Sequence, residues 1–352
     1  MKLHSGQFAR RLSVAFGVWA SATHLFLPAN GHIAAWHKGM YCLNGTEPGR
    51  DNQNTNDAVN PLHMLNRTDW WMHHVNKCDE FPPTEGDFLE LPVGGSFVVE
   101  LATNRAFTTL SYNGRNTGRF GHGQDEITPD GRSRQNCVVN PNLHTKSEEL
   151  ATGTAFAISY HSNLADVTPE NLVVFSIRYN TPWRRVVGYD VPQLPACPEG
   201  GCHCAWGWVP DDCGEPNMYM HPIKCKVVGN TGSRAVAQAV PPAYCDGDRN
   251  SCVSGAKQMV FRNQIEGNNI ILTGNRHPTY NARLGFADGA QTDIFLEDGS
   301  ASPTYIKPGP SVTPTGQSTP TGRTSGARRL LDETNVLAVA LPIACYALFK
   351  LR

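Results

Sequence analysis

The chain has 352 residues, with 30 Lys plus Arg against 31 Asp plus Glu and a formal net charge of −1. That balance, with no basic runs interleaved with aromatics, points away from a nucleic acid or a general anionic-lipid surface as partner. Charged residues are only 17% of the chain while Gly, Pro, Asn and Thr are plentiful, which suits a loop-rich β protein better than a helical one.

The amino terminus has the layout of a secretory signal. Lys2, Arg10 and Arg11 form a basic region, an apolar run follows over 12–20 and continues less cleanly to Leu27, and Ala29 and Gly31 are the small residues at −3 and −1. Residues 1–31 are therefore expected to be removed, which makes His32 the first residue. A first-position histidine carries a free α-amine and an imidazole, two nitrogens that can chelate one metal ion. A first residue of some kind is unavoidable, so this placement needs support from elsewhere in the chain.

Next come two helix signals, Asn60-Pro61 and Thr68-Asp69. After the second, Trp71, Val75 and Cys78 fall on one helical stripe. His73 and His74 are neighbours there. Adjacent residues on a helix diverge by about 100°, so both cannot easily face one metal, and they are taken as structural or surface histidines. Period-two segments then dominate. Ser96–Leu101 and Thr108–Tyr112 are short examples. Phe156, Ile158 and Tyr160 share a face of Thr154–Tyr160, and Val173, Phe175, Ile177 and Tyr179 share a face of the next segment. Gly, Pro and Asn clusters separate these runs, which predicts a mainly β fold: an antiparallel β-sandwich with loop insertions and short helices, in one continuous region over 32–300.

Cys345 lies in the C-terminal apolar tail. The other ten cysteines are Cys42, Cys78, Cys137, Cys197, Cys202, Cys204, Cys213, Cys225, Cys245 and Cys252. An even number in a secreted chain predicts five disulfides, whose pairing is not legible from spacing. Cys202-His203-Cys204 also has the look of a zinc cluster, but an oxidising compartment favours disulfides. Asn44-Gly45-Thr46 and Asn66-Arg67-Thr68 are N-glycosylation sequons.

Residues 301–326 are rich in Ser, Thr, Pro and Gly and predict a disordered, O-glycosylated stalk. Ser325-Gly326-Ala327, a polar spacer over 328–335 and an apolar tail over 336–349 match a glycosylphosphatidylinositol (GPI) attachment signal. Ser325 is the expected attachment residue and 327–352 the propeptide. The tail reaches only about 21 Å as a helix, short of the roughly 30 Å hydrocarbon core. The mature protein is thus expected outside the cell, tied to the plasma membrane or wall only by the lipid anchor.

A copper ion suits an N-terminal histidine, because Cu(II) favours tetragonal nitrogen and oxygen coordination and a metal readily displaces the proton of an α-amine near neutral pH. A second histidine would supply a third nitrogen and a tyrosine would close the axial side. The candidates for it are His37, His63, His73, His74, His122, His144, His161, His203 and His221. His144 lies in a stretch stiffened by Cys137 and Pro141, which puts it modestly ahead. Tyr219 is the tyrosine candidate, and His221 on the same strand face is a rival ligand.

Several stretches together resemble the fungal lytic polysaccharide monooxygenases of auxiliary activity family 14, the xylan-linked group. They are HIAAWHKGMYCLNGT at 32–46, WWMHHVNKCDEFPP at 70–83, GDFLELPVGGSF at 86–97, NRAFTTLSYNG at 104–114 and GTAFAISY at 153–160. TPENLVVFSIRYNTPW at 168–183, CAWGWVP at 204–210, CGEPNMYM at 213–220 and GAKQMVF at 255–261 complete the set. They spread over nearly all of 32–272 and leave out the stalk and anchor. The resemblance implies an immunoglobulin-like sandwich with a histidine brace on one copper ion, formed by His32 and His144, and axial Tyr219. Enzymes of this kind often carry a methyl group on the first histidine. His122 falls in the variable stretch between Gly114 and Cys137 and is the poorer match.

The function so implied is oxidative cleavage of xylan on cellulose fibres by a monomer, using an external electron donor and O2 or H2O2. Trp36, Trp70 and Trp71 could contact sugar, although core packing is the more ordinary task for each. No carboxylate pair stands out for hydrolysis. A GPI-tethered copper-binding or transport protein using the same brace is the alternative, and a metal-free wall glycoprotein is the third.

Overall fold

The computed structural model describes residues 32–297, apart from 130–138, 141–144, 146, 212–216, 247, 249, 273 and 275. The expected signal, stalk and anchor, and with them Ser325, lie outside the described residues, as do Cys137, Cys213 and His144.

Eleven short strands carry the architecture among the described residues: β1 (Ala34–Trp36), β2 (Leu89–Pro92), β3 (Ser96–Ala102), β4 (Thr128–Pro129), β5 (Val139–Asn140), β6 (Gly153–Ser159), β7 (Val173–Tyr179), β8 (Val186–Asp190), β9 (Cys202–Trp208), β10 (Tyr219–Val228) and β11 (Gly289–Ala290). β1, β3 and β8 form a three-stranded antiparallel sheet. The order β11-β7-β6-β9-β10-β2 forms a six-stranded sheet, antiparallel except where β2 runs parallel to β10. β4 and β5 pair by themselves.

Between the two large sheets lies one core, with Trp36, Val99, Leu101, Phe156, Phe175, Tyr189, Trp206 and Trp208. Phe97 joins the sheets, edge-on to Phe156 at 4.9 Å and stacked on Tyr189 at 5.5 Å between ring centres. The outer face of the six-stranded sheet is covered too. Ala155, Ala157, Val174, Ala205 and Met220 pack there against Trp70, Met259, Phe261 and Tyr280, which come from segments with little regular structure. β6 and β9 therefore have every residue buried, and their sequences, GTAFAIS and CHCAWGW, show no polar face.

The irregular coat is held by directed hydrogen bonds. Trp70 Nε1 donates to the Glu266 carbonyl (3.0 Å), Gln264 Nε2 to the Leu62 carbonyl (2.8 Å), and the Val260 amide to Tyr280 Oη (3.0 Å). Buried amides need such partners when no ladder supplies them.

Several sequence expectations meet corrections. No helix follows Asn60-Pro61, because Leu62 pairs instead as an isolated bridge with Met218. After Thr68-Asp69 only one α-helical turn forms, α1 (Arg67–Trp70), and a 3-10 segment over 71–76 follows. Met72 (φ 49°) and His73 (φ 62°) adopt left-handed backbone, so the stripe from Trp71 to Cys78 breaks: Cys78 is buried while Val75 is exposed. Thr108–Tyr112 is not a strand, but Ser96–Ala102, Gly153–Ser159 and Val173–Tyr179 are. In β7 the register against β6 slips between Phe156↔Ser176 and Ala157↔Val174, leaving Phe175 as an extra residue. Val173 and Phe175 consequently face the inter-sheet core while Ile177 faces the coat, although a strict period of two would put all three together.

Among the described residues four disulfides join Cys42 to Cys78, Cys197 to Cys202, Cys204 to Cys225 and Cys245 to Cys252. Cys202 and Cys204 thus belong to different disulfides, which removes the zinc reading of that cluster. Trp36 and Trp70 are fully buried and Trp71 is half-buried against Phe261, so core packing occupies them. Among the described residues no helix is long and apolar enough to cross a membrane.

Candidate metal centre

Strand register brings Tyr219 and the start of β1, two residues after His32, to one end of the sandwich. Tyr219 opens β10 opposite Trp208 of β9, Trp208 lies opposite Thr154 of β6, and Gly153 lies opposite Tyr179, the last residue of β7. The chain crosses from Tyr179 to the other sheet through 180–185, and Val186 enters β8 opposite Glu100 of β3. β1 begins at that same end, with Ala34 opposite Ala102. His32 precedes Ala34 by two residues and is half-buried.

Loops from both sheets close around this end. Phe120 bridges Arg184, the Gly121 carbonyl accepts from the Thr103 amide at 2.8 Å, and Arg184 pairs with Glu148 at 3.2 Å. Only glycine fits at position 121: an added Cβ would sit 2.4 Å from the Leu101 carbonyl oxygen. Its absence lets the 118–124 loop lie against β3 and brings His122 to the end where His32 emerges. The Asn180 amide donates to the Thr152 carbonyl (2.8 Å), tying the crossover to the entry of β6.

Tyr219 is 2% exposed and stacks on Trp208, with ring centres 5.2 Å apart and planes 24° from parallel. Trp208 Nε1 donates to the Ala151 carbonyl at 3.3 Å. Ala151 closes a 3-10 turn over Glu149–Ala151 and is preceded by fully buried Thr145. Ala151 is thereby tied to the ring that packs on Tyr219, while His144 lies outside the described residues.

The other histidines divide by environment. His221, two residues along β10, is fully buried: it stacks on Trp206 (5.4 Å, 6°) and lies 5.0 Å from the buried His73 ring. Burial pushes His221 well below the ordinary histidine pKa, with positive charge on His73 adding to the shift. Burial also lowers His73 to about 4, opposed by its hydrogen bond with the Met220 carbonyl. A metal at His221 would be sealed from any polymer. His203 is held between Tyr41 Oη and the His161 carbonyl, each at 2.9 Å, and His37 Nδ1 accepts from the Gly39 amide at 3.1 Å. His122 is half-buried beside Phe120, its pKa is lowered by burial, and its buried Nδ1 has no hydrogen-bond partner among the described residues. Sequence reasoning had put His122 aside and had no signal for the Arg184–Glu148 pair, whose members meet only through the crossover. Both sequons are described: Asn66 is exposed, and Asn44 Oδ1 accepts from buried Arg105 at 3.0 Å.

The donors at this end fit copper by type. An imidazole, an α-amine if the chain starts at His32, and a phenol give the nitrogen and oxygen set that Cu(II) prefers.

Comparison with known proteins gives the family. The family model described as "Lytic polysaccharide monooxygenase AA14" matches residues 14–342. A protein from Pycnoporus cinnabarinus named "AA14 family lytic polysaccharide monooxygenase B" is 36% identical over 295 residues, covering 80% of this chain and 74% of that one. The A protein of that name from Trametes coccinea is 34% identical over 297 residues (82% and 66%), and the B protein from Talaromyces rugulosus 35% over 286 residues (76% and 94%).

Proposed function

We propose that this chain, which belongs to the AA14 family of lytic polysaccharide monooxygenases and is thus an oxidoreductase, holds one copper ion through His32, His144 and Tyr219 and oxidatively cleaves xylan on cellulose fibres. What supports the reading is the strand register, in which β1, two residues after His32, begins at the same end of the sandwich as Tyr219. Copper, when bound, supplies the one-electron chemistry that lets O2 or H2O2 attack a sugar C–H bond, with an external donor providing electrons.

The chain's own part is positional. Removal of residues 1–31 frees the His32 amine to bind beside its imidazole. The Trp208 stack holds the Tyr219 ring, whose phenol oxygen would be available to a copper ion bound at His32. The surrounding core buries Tyr219 and Trp208, so water would be kept from that side of the site. The mature protein, a monomer carrying glycans at Asn44 and Asn66, would be held at the cell surface by a lipid at Ser325, at the end of the 301–326 stalk. The non-enzymatic copper-handling alternative shares the brace and differs in having no polymer product.

A specific observation favours one second reading of the ligand set: His122, with its partnerless Nδ1, stands at the same end. The deciding experiment has two parts. The copper-loaded protein, with reductant, should release oxidised xylo-oligosaccharides from xylan-coated cellulose, read by mass spectrometry. Products from cellulose or glucan alone would move the substrate, and none from any polysaccharide would favour copper handling. Alanine at 144 should remove tight copper binding while alanine at 122 spares it; the reverse result transfers the second nitrogen to His122.

A further inference from the structure

A second group of metal-ligating side chains lies outside the proposed brace. His74 Nδ1 is 2.9 Å from both carboxylate oxygens of Asp79 and 4.0 Å from Glu80 Oε1, and ligand atoms of all three residues fall within 4.8 Å of one another. The side chains are 43%, 26% and 50% exposed, so the group opens to water. We propose that His74, Asp79 and Glu80 form a divalent transition-metal site, independent of the brace, that takes Zn2+ or Cu2+ through one imidazole nitrogen and two carboxylates and keeps water in its open positions.

Charge supports a cation there. Asp79 and Glu80 are adjacent in sequence, and among the described residues no lysine or arginine pairs with either; His74 is their sole ion-pair partner. Two carboxylates on one imidazole leave net negative charge even when the ring is protonated. A divalent ion replacing the shared proton would neutralise it while using the same three donors. The donor set also selects the ion. A nitrogen ligand disfavours Ca2+ and Mg2+, which take oxygen, whereas mixed imidazole and carboxylate ligation suits zinc and copper.

The backbone keeps the donors together without the metal. His74 ends a left-handed excursion through Met72 and His73, which sends His73 inward to the Met220 carbonyl and leaves His74 facing out. Lys77, also left-handed (φ 58°), turns the chain into the 3-10 turn Cys78–Glu80, and the Cys42–Cys78 disulfide pins that turn to the N-terminal segment. The entropy of gathering the ligands is thus already spent on folding, which favours binding.

The test uses full-length mature protein loaded with one copper. Zinc titrated by calorimetry should show one further site, and anomalous scattering at the zinc edge should place it at His74. Asp79→Asn and His74→Gln, both close in shape, should each weaken zinc at least about tenfold by the loss of one ligand. Their melting temperatures without zinc should match the parent, and the zinc-induced rise should vanish. A protein with one residue added ahead of His32 should still bind this zinc, which separates the site from the brace. Zinc affinity unchanged in Asp79→Asn, zinc density elsewhere, or no binding at millimolar zinc would overturn the assignment.

Discussion

Two imidazole environments share strand β10 and differ in what surrounds them. Its first residue, Tyr219, lies at the end of the sandwich where β1 begins, two residues after half-buried His32. Two residues along, His221 and His73 are closed in by Trp206 and the coat, with no solvent contact to speak of. Both offer nitrogen donors of the kind copper binds. Only the first leaves positions through which a reductant, oxygen and a polymer could arrive. Histidine chemistry is common to both places, so access, set by where loops stop and coat begins, is what separates a candidate centre from core.

The sharpest way to break this contrast is to add one residue ahead of His32. That substitutes an amide for the amine and removes one nitrogen donor, so copper affinity should fall by about a thousandfold or more, as expected when a site loses its chelating residue. An unchanged affinity and copper spectrum would mean that copper resides elsewhere, the buried pair included. Next in size is Trp206→Ala, which strips the stacked partner from His221 and opens a cavity in the inter-sheet core. It should cost about 3–5 kcal/mol in denaturant unfolding, yet leave copper affinity at the open end within a few-fold. Loss of copper together with stability would show that the two environments are one unit.

Acid sharpens the contrast further. His73 is held near a pKa of about 4 by burial, against 6.5 for a free histidine. The unfolded chain therefore takes up a proton that the folded chain refuses. The stabilisation of the neutral ring is full above pH 6.5, falls as the pH drops below 6.5, and is gone below the folded-state value near 4. It is worth about 3 kcal/mol at its maximum, from a shift of this size. A His73→Gln variant should show a flatter fall in unfolding free energy between pH 6.5 and 4, measured by urea titration. A parallel fall in both proteins would assign the acid sensitivity to other groups.

Much of this molecule can be read from its residues, and the failures have physical causes. The alternation over 96–101 and 154–160 marks real strands because it reports packing against a core. It misplaced Ile177, since an extra residue at Phe175 shifts the phase and leaves no mark in composition. The helical stripe from Trp71 to Cys78 was an accident of spacing: left-handed Met72 and His73 obey tertiary contacts, His73 being drawn to the Met220 carbonyl. The parallel entry of β2 beside β10 is a long-range choice that no local signal carries. At the proposed metal centre, His32 follows from the expected cleavage signal and Tyr219 from the family resemblance. The closeness of His122 depended on Gly121 lying against β3, a packing relation between distant positions.

The smallest expected effect is at Tyr219. Replacing it with Phe keeps the ring, and with it the stack on Trp208 at 5.2 Å, so the fold should lose less than about 1.5 kcal/mol, as for a near-isosteric core exchange. The amine and imidazole nitrogens remain, so copper should bind within about tenfold of the parent. What changes is the axial oxygen. The visible and paramagnetic resonance spectra of the copper form should shift, and product release from xylan-coated cellulose should fall by roughly tenfold, about 1.4 kcal/mol of barrier. If the spectra are untouched, the phenol is not a ligand, and Tyr219 belongs with His221 and Trp206 as part of the packed interior.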